Sequence, residues 1–190
     1  VLPVEIPRIA LVDFNNDCVN DSLRTCRAMF DRYRQLIEEG QAAEAERYRL
    51  YGVRLDTGKN LRDCSVPPLG DAELDLGVTP RLVFAVRQAL DSAWESWDIP
   101  KEWCGAAEQY CRAVKIVVSG GFDPEKIRRF EHLSVPADIY AVGSSLFDNH
   151  EATVTDYTAD VVRVKVHEEW IDLAKVGRQP CDNPNLQRVW

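Results

Sequence analysis

The stretch 115–149, KIVVSGGFDPEKIRRFEHLSVPADIYAVGSSLFDN, constrains the fold more than any other part of the chain. Its β-branched apolar run at 116–118 predicts a buried strand of a parallel sheet. A Gly-Gly turn follows, after which Asp123 and Pro124 predict a helix with an aspartate cap. A second apolar segment at 138–142 predicts another strand. This strand–helix–strand order predicts an α/β protein with parallel strands.

A polar turn follows each of these two strands. The first turn contains Ser119, Gly120 and Gly121, and the second begins with Gly143 and Ser144. Because the carboxyl ends of parallel strands meet at one edge, we expect the two turns to lie side by side. Their N–H and hydroxyl donors then predict an anion site, with a sugar phosphate as its ligand. Each turn alone also fits an ordinary connection between elements, and that alternative stays open.

Charged residues end two further predicted strands. The strand 9–13 ends in Asp13, and the strand 50–56 ends in Arg54 and Asp56. Side chains alternate along a strand, so Arg54 and Asp56 project from the same face. Sites of α/β proteins assemble at the carboxyl ends of strands, so we expect these side chains to belong to the site. A structural ion pair between Arg54 and Asp56 is the alternative.

The remaining segments predict helices, one long loop and a hairpin. Apolar periodicity and caps indicate helices at 19–39, at 42–49, from 80 to the break at Pro100, and at 101–113. Residues 57–79 are predicted to be an irregular loop, and Trp94, Trp97 and Trp103 to form a packing cluster. Two alternating runs, 159–166 and 170–176, flank the polar residues 167–169 and predict an antiparallel hairpin outside the parallel sheet. The tail 177–190 is predicted to be irregular.

Composition excludes several function classes. A formal net charge of −8 argues against nucleic acid or an anionic membrane as the main partner. No apolar run approaches the roughly 20 residues of a membrane span, and the start VLPVEIPR lacks the features of a signal peptide. None of the six cysteines forms a CxxC pair, so we expect free thiols and no structural zinc. These features predict a cytoplasmic protein.

Seven motifs in series carry a family resemblance. They are IALVDFNND (9–17), YGVRLDTGKN (51–60), IVVSGGFDPEKI (116–127), DIYAVGSSL (138–146), YTADVVRVK (157–165), LAKVGR (173–178) and NPNLQRV (183–189). In this order and spacing they resemble the carboxyl-terminal half of nicotinate phosphoribosyltransferase, of the type II phosphoribosyltransferase family. The resemblance covers nearly the whole chain.

The resemblance implies a fold and an activity. The fold would be part of an incomplete, TIM-like α/β barrel over residues 1–150, followed by the hairpin and tail over 151–190. The activity would join nicotinate to 5-phosphoribosyl 1-pyrophosphate, giving nicotinate mononucleotide and pyrophosphate in NAD biosynthesis. Mg²⁺ would assist, and ATP would be a co-substrate.

The resemblance also implies roles for the residues singled out above. The 5-phosphate would be held by Ser119, Gly120, Gly121, Gly143 and Ser144. Arg54 and Asp56 would face the ribose and the reacting centre, and Asp13 would lie near the sugar or its magnesium. No protein metal site is predicted. The first motif departs from the family pattern, because Phe14 and Asn15 follow Asp13 where a Thr-Phe pair is expected.

The chain is expected to be half of an active unit. A full barrel takes about 250 residues, and only about four core strands are predicted here. The family's phosphorylated histidine belongs to the amino-terminal half, and none of His132, His150 and His167 has a matching context. We therefore expect no activity without a second polypeptide or segment, and a homo-oligomer. The alternatives are quinolinate or nicotinamide as the base, or a non-catalytic subunit that keeps the phosphate-binding fold.

Overall fold

Four parallel strands, in the spatial order β1-β2-β3-β4, form the central sheet of this computed structural model. The strands are β1 (Arg8–Leu11), β2 (Leu50–Leu55), β3 (Lys115–Val118) and β4 (Ile139–Tyr140). The structure describes residues 3–147 and 159–179. The parallel α/β architecture predicted from the sequence is confirmed, and the four strands form an open sheet.

Seven α-helices connect or follow the strands within the described residues. They are α1 (Cys18–Glu38), α2 (Ala42–Ala45), α3 (Ala72–Asp75), α4 (Pro80–Ser92), α5 (Cys104–Ala113), α6 (Pro124–His132) and α7 (Ser144–Phe147). Short 3₁₀ turns at Glu46–Tyr48, Ala93–Ser96 and Lys101–Trp103 extend the helical segments. α1 lies within one residue of its predicted bounds. Three other predicted helices divide: 42–49 into α2 and a 3₁₀ turn, 80 to Pro100 into α4 and the turn Ala93–Ser96, and 101–113 into the turn Lys101–Trp103 and α5.

Side-chain caps fix where the longer helices begin. Asp17 accepts from the N–H of Asn20 at the start of α1, and Thr79 accepts from that of Leu82 at the start of α4. The cap predicted for α6 is confirmed, since Asp123 accepts from Lys126 N at 2.7 Å. These bonds satisfy N–H groups that have no partner inside the helix.

One core lies between the helices and one face of the sheet. Val53 and Leu55 of β2 are fully buried in it. The aromatic cluster packs there as predicted, because the ring of Phe30 lies 5.0 Å from that of Trp97 and 6.2 Å from that of Trp103. Apolar burial of this kind is the main source of stability in a domain of this size.

The other face of the sheet is open at β1. Ile9 and Leu11 are 44% and 51% exposed, and Leu11 is paired in register with the exposed Arg54. Parallel sheets in α/β proteins are normally covered on both faces. At β1, therefore, the face of the sheet that carries Ile9 and Leu11 is left exposed to solvent.

The predicted antiparallel hairpin is confirmed with shorter strands. Strands β5 (Arg163–Val166) and β6 (Glu169–Asp172) pair with each other and stand apart from the parallel sheet. The turn residues His167 and Glu168 have φ values of 47° and 68°, as a tight turn between right-twisted strands requires. The hairpin strands and β4 are all shorter than predicted, because pairing rather than side-chain alternation limits a strand.

The loop 57–79 is more ordered than predicted. It contains α3, which Asp71 caps by accepting from Glu73 N at 2.8 Å, and a bridge between Arg62 and Leu76. A four-residue helix is too short to show periodicity in sequence. By contrast, Ser144, which was predicted to lie in the second polar turn, begins the short helix α7.

Other sequence predictions concern cysteines and membranes. The five described cysteines are unpaired, and Cys18, Cys26 and Cys111 are buried. Cys181 and the predicted irregular tail from residue 180 onward lie outside the described residues. Within residues 3–147 and 159–179, none of the helices has the length and apolarity to cross a bilayer.

Candidate functional site

The predicted catalytic residues and one predicted phosphate-binding residue, Ser119, lie together at the carboxyl edge of the parallel sheet. Asp13, Asp56 and Ser119 follow β1, β2 and β3, and hydrogen bonds continue the sheet up to them. Val12 N donates to Arg54 O at 3.2 Å, and Ser119 N donates to Leu55 O at 3.0 Å. Residues from three separate sequence motifs therefore meet at one edge.

A hydrogen-bonded network joins β2 to β3 at this edge. Arg54 Nε donates to Ser119 Oγ at 2.9 Å, and Ser119 Oγ donates to Asp56 Oδ1 at 2.7 Å. Arg54 Nη2 lies 3.6 Å from Asp56 Oδ2, which makes the predicted same-face pair a direct ion pair. Their side chains are 45% and 29% exposed, whereas Ser119 is buried. The buried serine thus orients two charged groups that solvent or a ligand can reach.

Asp13 is the most buried charged group of the site, with 1% of its surface exposed. It forms an ion pair with Lys175, which comes from the segment after the hairpin. Burial raises the pKa of Asp13 above its usual range, the ion pair with Lys175 opposes that rise, and the nearby charge of Asp56 adds to it. Its Oδ1 atom has no hydrogen-bond partner among the described residues.

The Gly-Gly turn after β3 has the backbone that a close ligand approach needs. Gly120 and Gly121 have φ values of 89° and 69°, a region that residues with a Cβ rarely adopt. A Cβ on Gly120 would stand 3.4 Å from Asp56 Oδ1. Lys126 Nζ holds the turn by donating to Gly120 O at 3.2 Å. Among the described residues, the N–H groups of the two glycines have no hydrogen-bond acceptor.

The second predicted turn has fewer described contacts with the rest of the site than the first turn. Gly143 and Ser144 are exposed and follow β4 at the same edge of the sheet. Ala141 N donates to Val118 O at 2.8 Å, which carries the pairing with β3 up to this turn. Across the described part of the chain, no hydrogen bond or ion pair links Gly143 or Ser144 to the residues of the first turn.

Lys175 lies in the site, although it was not predicted there from the sequence. Its Nζ donates to Asp56 O at 2.8 Å and lies 4.0 Å from Asp56 Oδ2, in addition to its ion pair with Asp13. The only sequence signal was its place in the motif LAKVGR. The contact spans 119 positions of the chain, so no local pattern could have revealed it.

The carboxylates of the site do not form a complete metal cage. No group of three or more His, Cys, Asp and Glu side chains able to hold a metal occurs in the described parts of the chain. Mg²⁺ commonly binds through one or two carboxylates together with substrate phosphates. Asp56, whose side chain is 29% exposed, matches that second arrangement, whereas Asp13 is fully buried and paired with Lys175.

Comparison with family models, curated proteins and solved structures found no match to this chain. Any functional assignment therefore rests on the residues of the site and on the motifs of the sequence.

Proposed function

We propose that this chain supplies the phosphoribosyl-binding part of a nicotinate phosphoribosyltransferase. The observation that supports the proposal most is the position of Asp13, Arg54, Asp56 and Ser119 at one sheet edge, where Ser119 bonds Arg54 and Asp56 and Lys175 links Asp56 to Asp13. The four residues at the edge come from three motifs of the family resemblance. Strand ends bring any such residues to one edge, but here the edge combines buried Asp13 and Ser119 with the partly exposed charges of Arg54 and Asp56.

The first glycine turn would bind the 5-phosphate. Phosphate oxygens need oriented N–H donors, and Gly120 and Gly121 carry N–H groups without acceptors in the described residues. Their positive φ values need glycine, and the lack of a Cβ lets a ligand approach this backbone closely. Gly143 and Ser144, exposed at the same edge, would complete the contacts from β4.

Asp56 and Arg54 would act on the ribose. Departure of pyrophosphate leaves positive charge on the sugar ring, and a fixed carboxylate stabilises that charge. Asp56 is held in place by Ser119 Oγ at 2.7 Å and by Arg54. A partly exposed carboxylate fixed by a buried hydroxyl suits this role, because little reorganisation is needed as the charge develops.

Asp56 would hold Mg²⁺ jointly with the substrate's pyrophosphate, and the buried Asp13 would lie near that magnesium, paired with Lys175. When bound, the metal stabilises the negative charge of the leaving group. Asp13 is then the deeper of the two carboxylates and Asp56 the one nearer to solvent. ATP would serve as a co-substrate through groups supplied by the other half of the enzyme.

The open face of the sheet supports a second polypeptide or segment as partner. Exposed Ile9 and Leu11 lie beside the site on the face that the helices leave uncovered. In a barrel, this face would turn inward and be covered by further strands. The base pocket and barrel closure would come from that partner.

Binding of the sugar phosphate tests the proposal without the partner. Calorimetric titration of the 190-residue chain with 5-phosphoribosyl 1-pyrophosphate and Mg²⁺ should show saturable binding, which Asp56→Asn weakens by about tenfold. Asp98→Asn, at an exposed loop position, is the matched control and should bind normally. No binding by the unaltered chain would overturn the proposal.

Assays of product formation then test the reaction and the base. The chain alone should form no nicotinate mononucleotide, with or without ATP, and the material that co-purifies with the native protein should restore formation. Faster use of quinolinate or nicotinamide would change the assigned base. Phosphoribosyl pyrophosphate binding without any transfer in the complete assembly would instead favour a non-catalytic subunit.

A further inference from the structure

The ammonium group of Lys175 joins two parts of the chain at the candidate site. It contacts Asp13 after β1 and both the carbonyl and the carboxylate of Asp56 after β2. Two oxygens, Asp13 Oδ2 and Asp56 O, lie within hydrogen-bond reach of this ammonium group, and Asp56 Oδ2 lies farther away at 4.0 Å. Only 13% of the Lys175 side chain and none of the Asp13 side chain are exposed.

Without Lys175, the site would contain an uncompensated buried charge. Asp13 and Asp56 are both acidic and lie at the ends of neighbouring strands. Arg54 is 3.6 Å from Asp56 and hydrogen-bonds Ser119, so its described contacts serve the β2–β3 side of the site. Removing one partner of a buried ion pair is strongly unfavourable, because the remaining charge stays desolvated.

The same lysine holds the segment after the hairpin against the sheet. Next to it, Val176 N donates to Phe14 O at 2.9 Å, in the loop between β1 and α1. Gly177 reaches Leu61, since a Cβ at Gly177 would collide with that side chain. Lys175 is therefore the charged contact in a small docking patch formed by residues 174–177.

We propose that Lys175 is a positioning residue of the candidate site, which holds the carboxylates of Asp13 and Asp56 in place and fastens residues 174–177 over the β1–α1 loop. The site is then complete only when this C-terminal segment is docked. Only the expected effect on substrate binding rests on the proposed function. The docking of residues 174–177 can be measured without any substrate.

A double-mutant cycle on the 190-residue chain tests the docking. Hydrogen exchange at Val176 N–H is measured in the unaltered protein, in Lys175→Met, in Asp13→Asn and in the double variant. Lys175→Met should speed exchange by about tenfold, but by only about threefold in the Asp13→Asn background, where Lys175 still donates to Asp56 O. Lys175→Arg keeps the charge and should restore slow exchange. Equal acceleration in both backgrounds, or none, overturns the inference.

Two controls separate docking from general destabilisation. Amides of α4 should exchange at unchanged rates in every variant, because the described hydrogen bonds and ion pairs of Lys175 reach only Asp13 and Asp56. Lys101→Met removes an exposed lysine of the 3₁₀ turn Lys101–Trp103 and should change neither exchange nor binding. Acceleration throughout α4 in Lys175→Met would mean global unfolding and would contradict a positioning role.

Substrate binding provides the second measurement. In the presence of Mg²⁺, Lys175→Met should weaken phosphoribosyl pyrophosphate binding by about tenfold, and Lys175→Arg should recover most of the loss. Unaltered affinity in Lys175→Met would refute positioning of the carboxylates. If the unaltered chain binds no phosphoribosyl pyrophosphate, the proposed function fails, while the exchange cycle still decides the role of Lys175.

Discussion

Replacing Ser119 with alanine removes the hydroxyl group that joins Arg54 to Asp56. In the structure this hydroxyl accepts from Arg54 Nε at 2.9 Å, and its one hydrogen points to Asp56 Oδ1 at 2.7 Å or to Leu55 O at 3.0 Å. A hydrogen bond to a charged group contributes about 1.5–3 kcal/mol when water cannot replace it. Both charged partners are accessible to solvent, at 45% and 29% exposure. We therefore expect a loss of only about 1–2 kcal/mol for the two bonds together.

The measurement is the free energy of unfolding from urea titration, followed by tryptophan fluorescence. For a chain of this size a loss of about 1–2 kcal/mol lowers Tm by about 2–8 °C. Ser92→Ala is the control, because Ser92 Oγ donates to Gln88 O at an exposed position of α4. This control should stay within about 0.5 kcal/mol of the unaltered protein. Equal stability of the Ser119→Ala and Ser92→Ala variants would refute the network as a stabilising unit.

Three further predictions concern the site and the core. Asp56→Asn should lower kcat of the complete assembly by about 10²-fold with a smaller effect on KM, and a pure rise in KM would make Asp56 a binding residue. Gly120→Ala and Gly40→Ala should each lower the free energy of unfolding by about 1 kcal/mol, since both residues have positive φ. Calorimetry should show weaker phosphoribosyl pyrophosphate binding for Gly120→Ala alone, and equal affinity in the two variants would contradict the phosphate assignment. Phe30→Ala should lower the urea-derived free energy of unfolding by about 3–5 kcal/mol, because the fully buried ring packs against Trp97. A loss below about 1 kcal/mol would show that the core refills the space.

Local features of the chain were predictable from sequence. The cap at Asp123 and the start of α6 at Pro124 depend on a few adjacent residues, and the structure has both. The shared face of Arg54 and Asp56 follows from strand alternation alone, and their ion pair confirms it. Such features need no information about distant parts of the chain, because backbone geometry fixes them.

The sequence predicted that the strands are parallel, but it did not predict their lengths. The apolar runs predicted parallel strands, and the sheet has them in the order β1-β2-β3-β4. The run at 138–142 forms only the two-residue strand β4. A strand ends where its neighbour stops offering hydrogen-bond partners, and this depends on how the two strands are placed by the core.

Only the tertiary structure assembled the candidate site. The Gly120 turn approaches Asp56 because β2 and β3 pair in register, and Ser119 meets Asp56 for the same reason. Lys175 reaches Asp13 and Asp56 across more than a hundred residues, after a hairpin whose own pattern says nothing about where it docks. Sequence determines which side chains a strand end presents, because that depends on neighbouring residues. Packing of the whole chain decides which charges meet, because an ion pair between distant segments forms only where the fold buries them together.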